Sequence, residues 1–314
     1  MNRRTFLRAS ALAVPAIGTI GATSREAVRA PTGRVGLQLF TVMQQLEQDF
    51  EGTLKAIAQI GYKEVETIGV FGRDAAYVRE LLDIYGLTSP SQHLVPGDLY
   101  NAFRRYVVGR QDSREALAKH WANVMSVEQV EPVIAEGITR AKLLGQSYLV
   151  WQIIWPQQMA TRGLVAKFCK ALDIGAQLCA AHGVTLCFHN NDREFALIDG
   201  IVPYDAIIEN TDPNLLKLEA DLYWMTKAGV DPLAYLKRNP GRYKQCHLKD
   251  STAGGDMTTV GRGTVNFPVL LKAARDAGIE HYYVEYDRAT DPMGAVRESY
   301  TYLANAFREV GLQQ

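Results

Sequence analysis

The stretch Val184-Thr185-Leu186-Cys187-Phe188-His189-Asn190-Asn191-Asp192 decides how the rest of this chain is read. An apolar run follows His182-Gly183 and breaks into a polar cluster at His189, the layout of a buried strand that releases functional groups at its end. Three later segments repeat it. Leu215 to Asp221 ends on a carboxylate, Tyr243 to Asp250 carries His247-Leu248-Lys249-Asp250, and His281 to Asp287 carries Glu285. Parallel strands closed into a barrel send their C-terminal ends to one face, so side chains remote in sequence converge there. Two imidazoles and two carboxylates, His189, Asp221, His247 and Glu285, then suit one divalent ion. Mn²⁺, Zn²⁺, Co²⁺ or Fe²⁺ fits that mixed set better than Ca²⁺, which prefers oxygen alone.

Outward from this stretch, short apolar runs alternate with helical periodicity from Arg34 onward. Val35 to Phe40, Glu64 to Ile68, Leu87 to His93 and Ser147 to Gln152 read as the earlier strands, and Tyr282 to Tyr286 as the last. Helices are predicted over Phe50 to Ile60 before Gly61, Asp74 to Tyr85 before Gly86, and Thr161 to Ala181 before His182-Gly183. Further helices follow over Tyr204 to Glu209, Pro232 to Leu236, Phe267 to Ala277 and Met293 to Val310. Crossovers long enough to hold a helix imply parallel strands. The expected fold is therefore α/β, a single (β/α)₈ TIM barrel over residues 31–314, without a second domain. The rhythm breaks at about residues 96–126, where Tyr100, Phe103, Arg104, Arg105, Tyr106 and Trp121 mark a lid-like insertion on the C-terminal face.

Met1-Asn2-Arg3-Arg4-Thr5-Phe6-Leu7-Arg8, followed by a weakly apolar Ala-rich run, reads as a twin-arginine signal peptide over residues 1–30. The expectation is a periplasmic or otherwise exported protein, with no stable membrane span in the mature chain. The first 31 residues hold five Arg against one Glu, so a neutral total leaves the remainder near −4. Nucleic acid is a poor partner for that balance. Cys169, Cys179, Cys187 and Cys246 lack metal-type spacing and are read as small core residues. Gly254-Gly255 and Gly261-Arg262-Gly263 lack the strand-to-helix setting of a nucleotide site.

Gly36-Leu37-Gln38-Leu39-Phe40-Thr41, Val65-Glu66, Phe188-His189-Asn190-Asn191-Asp192, Asp221-Leu222-Tyr223-Trp224, His247-Leu248-Lys249-Asp250, Gly261-Arg262-Gly263-Thr264-Val265 and Val284-Glu285 together resemble the xylose isomerase-like TIM-barrel proteins of sugar phosphate isomerase/epimerase type. The resemblance covers nearly the whole chain after the leader. It implies one divalent metal, Mn²⁺ first, held by His189, Asp221, His247 and Glu285, and proton abstraction beside a sugar carbonyl through an enediolate. It also implies a homo-oligomer. Glu285 matches one of the two opposed glutamates of the ketose 3-epimerases, but His189 stands where the other belongs. A lyase or hydrolase-like enzyme eliminating the aglycone of a 3-keto-glycoside is the alternative, and a non-catalytic carbohydrate-binding barrel a further one. An endonuclease IV-like phosphodiesterase would need about three metals and a basic groove.

Other candidates follow from position. Glu66 and His93, read as ending the second and third strands, are expected as acid, base or substrate contacts, and Lys249 as a stabiliser of an enolate oxygen. Trp155, Asn191 and Trp224 are expected to bind substrate, with Trp151 and Tyr223 as further aromatic surface.

Overall fold

Eight short runs, most of them buried at nearly every position, form β1 (Val35–Gln38), β2 (Glu64–Ile68), β3 (Thr88–His93), β4 (Tyr148–Trp151), β5 (Thr185–His189), β6 (Leu216–Asp221), β7 (Tyr243–Leu248) and β8 (His281–Val284). Burial on both faces is what parallel strands covered by helices require. This computed structural model describes residues 34–109 and 113–312, and the expected leader lies outside them. Each strand pairs in parallel with its neighbours in chain order, and β8 closes on β1, giving the expected barrel.

Local chemistry sets the element ends. Asp49, Asp74, Thr161, Asn266 and Asp291 each cap a helix by accepting a backbone N–H. β1 stops at Gln38, short of the expected Phe40, because the Gln38 side chain accepts the Phe40 N–H and turns the chain into the 3-10 helix Leu39–Val42. The insertion after β3 is helical: Gly97–Arg104 runs into the π-helical turn Arg105–Gly109, and Arg114–Val124 follows. Phe103 stacks on Phe40 at 5.7 Å and meets Trp121 edge-on at 5.4 Å, which ties both helices to the barrel mouth.

Helix-facing side chains make one large apolar core, whereas the barrel interior is largely polar. Glu64 and His281 pair at 2.8 Å low in it, and Gln38, Glu66, Ser91, Glu219, Gln245 and His247 fill the levels above. Tyr148, Val150 and Cys187 form a small cluster apart from the main core. All four cysteines are free and buried. Among the described residues no helix is long and apolar enough to cross a membrane.

Candidate metal centre and active site

Four consecutive strands each deliver one group to a single point. His189 ends β5, Asp221 ends β6, His247 is the penultimate residue of β7, and Glu285 follows β8. One ligand atom from each lies within 4.8 Å of all the others, and all four residues are buried. His189 Nε2 is 3.5 Å and His247 Nδ1 is 3.6 Å from Asp221 Oδ2, while His247 Nδ1 is 2.7 Å from Glu285 Oε2.

The remaining contacts aim these atoms. His189 Nδ1 lies 3.1 Å from the Gln152 carbonyl oxygen, which can only accept, so that nitrogen carries the proton and Nε2 keeps its lone pair. Asp221 splits its carboxylate: Oδ1 accepts the Trp224 N–H at 3.0 Å and caps the helix Leu222–Lys227, and Oδ2 faces the cluster. His189 Nε2, Asp221 Oδ2 and His247 Nδ1 are buried without an aligned hydrogen-bond partner. Such atoms are costly to bury unsatisfied. Two imidazole nitrogens and two carboxylates turned on one point are a donor set that fits a divalent cation of borderline softness.

A second group, Glu66, His93, Glu219 and His247, meets the same distance criterion one level deeper. It is mostly saturated by hydrogen bonds instead. Glu66 accepts from Gln38 Nε2 at 2.7 Å and Ser91 Oγ at 2.6 Å and lies 2.8 Å from His247 Nε2; His93 Nε2 lies 2.9 Å from Glu219 Oε2. Glu66 does not end its strand: β2 runs on to Ile68, and Glu66 is fully buried beneath the cavity. His93 does end β3 and lines the cavity. Burial opposes charge on His93, but Glu66 and then Glu219 outweigh it and lift the imidazole to about 9. Burial likewise works against ionised Glu66, yet His93 and His247 hold that carboxyl well below its usual range. Glu219, desolvated by burial and then beside charged Glu66, is pushed up. Glu219 was not singled out from sequence, although the alternation Lys217-Leu218-Glu219-Ala220-Asp221 puts it on the face of Asp221.

Lys249 extends beyond β7 with its ammonium 3.0 Å from Asp221 Oδ2, 2.8 Å from Glu285 Oε2 and 2.8 Å from Asp287 Oδ1. Burial disfavours the charge, but Asp221 and Asp287 keep the lysine well above its ordinary value. Glu285 is desolvated too, and Lys249 and then His247 hold it well below the usual carboxylate range. Asp287, which sequence reading also passed over, is raised by burial despite Lys249.

Above the cluster opens a cavity of about 1610 Å³, which His93, His189, Lys249 and Glu285 reach. Trp155, Asn191 and Trp224 line it, as do Phe103, Tyr106 and Trp121 from the insertion. Trp151 does not: it packs on Phe168 at 6.2 Å, and its indole donates to the Ile153 carbonyl. Tyr223 lines the wall while its hydroxyl donates to the Gly255 carbonyl at 3.0 Å. Glu194, five residues beyond His189, borders the cavity and is pushed up to about 7, chiefly by burial.

A family model described as a xylose isomerase-like TIM barrel matches residues 54–306. The chain belongs to that family. A sugar phosphate isomerase/epimerase structure from Parabacteroides distasonis superposes on this family member with a TM-score of 0.70 at 21% identity, covering 95% of this chain and 100% of that one. An L-ribulose 3-epimerase structure gives a TM-score of 0.63 at 16% identity, covering 89% of this chain and 96% of the other. Likeness at that identity carries the fold. Among curated proteins, inosose dehydratase of Salmonella typhimurium is 22% identical over 211 residues, covering 65% of this chain. The matched region is 64% of that relative's length. Metal binding is common in the family, and its members with these names are enzymes.

Proposed function

We propose that this chain is a divalent-metal-dependent sugar isomerase or epimerase that removes a proton from the carbon beside a sugar carbonyl. The observation that carries the reading is the convergence of His189, Asp221, His247 and Glu285, three of them with a buried ligand atom that makes no aligned hydrogen bond, at the floor of a cavity with aromatic walls. His189 Nε2, Asp221 Oδ2, His247 Nδ1 and a Glu285 oxygen would hold the ion. When bound, a divalent ion supplies Lewis-acid polarisation of the carbonyl. Glu285, kept ionised by Lys249 and His247, is the base that accepts the α-proton. Lys249 is the donor to the oxygen on which negative charge develops. His93 brings a protonated imidazole into the wall, and Trp155, Trp224 and Asn191 seat the substrate.

One observation favours a second reading. Epimerisation by two opposed bases needs a carboxylate where His189 stands, whereas isomerisation and elimination need only Glu285 and a separate acid. The likeness to a protein named inosose dehydratase supports elimination from a keto-polyol, or of the aglycone from a 3-keto-glycoside. Proton NMR in D₂O separates the outcomes: both begin with loss of the α-proton, but isomerisation or epimerisation puts deuterium back on carbon in exchange, whereas elimination leaves the α-carbon unsaturated and releases a leaving group. Glu285→Gln should lower that exchange by roughly 10²–10⁴-fold while the substrate still binds. Unchanged exchange would remove Glu285 as the base. Elemental analysis after purification without chelator should give about one Mn, Zn, Co or Fe per chain; about three would point to phosphodiesterase chemistry instead.

A further inference from the structure

The carboxylates of the deeper tier, Glu66 and Glu219, play no part in the proton transfer proposed above, yet Glu66 touches a candidate ligand, His247. His247 stands between carboxylates on two sides: Nε2 lies 2.8 Å from Glu66 Oε2, and Nδ1 lies 2.7 Å from Glu285 Oε2. A neutral imidazole has one N–H and one lone pair, so the neighbours decide which nitrogen can bind a metal. His189 has that choice made by a backbone carbonyl, which no side-chain substitution removes. For His247 it is left to side chains.

Glu66 is the better anchored of the two acceptors. Gln38 Nε2 donates to its Oε2 at 2.7 Å and Ser91 Oγ to its Oε1 at 2.6 Å. Both donors come from the adjacent strands, in register with Glu66 on either side, so the barrel hydrogen bonding itself fixes the carboxylate. The 2.8 Å contact from Nε2 to Glu66 is an aligned hydrogen bond, whereas Nδ1, although 2.7 Å from Glu285, makes none. Glu285 lies beyond the end of β8, lines the cavity and shares Oε2 with Lys249. Glu219 Oε1, at 3.5 Å from His247 Nε2, is too distant to replace Glu66 without movement.

We propose that Glu66 is a positioning residue: it holds the Nε2–H tautomer of His247 and so reserves Nδ1 for the metal, with His93 and Glu219 bracing it from the far side. The inference rests on the metal reading above and assigns Glu66 no contact with substrate. It also explains why a carboxylate is buried two residues below the strand end, where it cannot reach the cavity.

The test is Zn²⁺ binding by calorimetry to the wild-type chain, Glu66→Gln and Glu66→Leu, with long-range ¹H–¹⁵N spectra of His247 in the Zn²⁺-loaded forms. Wild type should show a protonated Nε2 and a metal-shifted Nδ1. Glu66→Leu should lose roughly 10–100-fold in affinity, the usual cost of removing such an outer partner, and its Nε2–H signal should broaden or vanish. Glu66→Gln keeps a carbonyl acceptor and should fall between the two. A Leu variant with wild-type affinity, or a wild-type His247 bound through Nε2, overturns the role of Glu66 and leaves the metal reading standing. A wild-type chain that takes up neither Zn²⁺ nor Mn²⁺ overturns the metal reading itself. Should the Leu variant not fold, Glu66→Gln decides: weaker Zn²⁺ binding with a displaced Nε2–H signal supports the proposal, and an unchanged variant ends it.

Discussion

Asp221 gives one oxygen to the fold and the other to the site, which makes the two roles separable by a single atom. In Asp221→Asn the amide oxygen can keep the cap on the Trp224 N–H, and Asn caps helices about as well as Asp. The cap should therefore survive, so any loss of stability comes from the buried Lys249 pair on Oδ2 and is on the order of 3 kcal/mol at most, while metal content falls close to zero. A variant that retains its metal would show that Asp221 serves the fold alone. Glu194 offers a test by pH. Its neutral form is favoured in the fold, so between 4.5 and about 7 the unfolded chain ionises first and folding stability falls as pH rises. The loss across that window is about 3 kcal/mol. Glu194→Gln has no such loss and should gain on wild type from pH 5 to pH 8 in urea unfolding; a constant difference would mean that Glu194 ionises freely. From sequence Glu194 was one acid among several after His189, because its desolvation comes from chain packed around it.

At the scale of elements, the segment after β7 shows what its glycines do. Asp250 accepts N–H groups from Ser251 at 2.8 Å, Gly261 at 2.9 Å, Gly263 at 2.9 Å and Val265 at 3.2 Å, so the loop is wound around its own carboxylate. A Cβ on Gly263 would fall 2.2 Å from Asp250 Oδ1, which is why glycine is needed there. The clamped loop carries a hairpin, Asp250–Ser251 with Met257–Thr258, that Tyr223 and Tyr286 tie to the cavity rim through their hydroxyls. Asp250→Ala should cost on the order of 3 kcal/mol and expose residues 251–262 to limited proteolysis. It should raise KM more than it lowers metal affinity, because Asp256 and Met257 line the cavity and none of the four candidate ligands lies in the loop. Resistance to protease equal to wild type would show that the tyrosine tethers suffice. The motif Gly261-Arg262-Gly263 was legible as part of the loop after the seventh strand, without the strand-to-helix setting of a nucleotide site. That it wraps an internal aspartate was not, since Asp250 and Val265 meet only through the turn.

For the molecule as a whole, the unusual feature is a barrel filled with ionisable groups instead of branched aliphatics. Glu64, Glu66, Glu219, His247 and His281 are all buried within it, and nearly all are paired. Such an interior stabilises less than an apolar one but holds its members in fixed directions. The cell compartment is a separate proposal: we propose that the segment through about Ala30 directs twin-arginine export. Replacing Arg3 and Arg4 together by Lys should leave the full-length chain in the cytoplasm of a bacterium in which the wild-type chain is exported. Unimpaired export of the double variant would set the signal aside.

The barrel is legible along the chain, because strand and helix periods, capping residues and glycine stops are local and agree throughout the described residues. The four candidate ligands could be picked out there too, since the end of a strand is marked in sequence by the change from apolar to polar residues. Depth and partnership come from the folded barrel. Whether Glu66 lies at the mouth or below it, which nitrogen of His247 is engaged, and that Lys249 meets Asp287 depend on the stagger of neighbouring strands around a closed barrel. That stagger is a property of the closed sheet, and no segment of the chain encodes it alone.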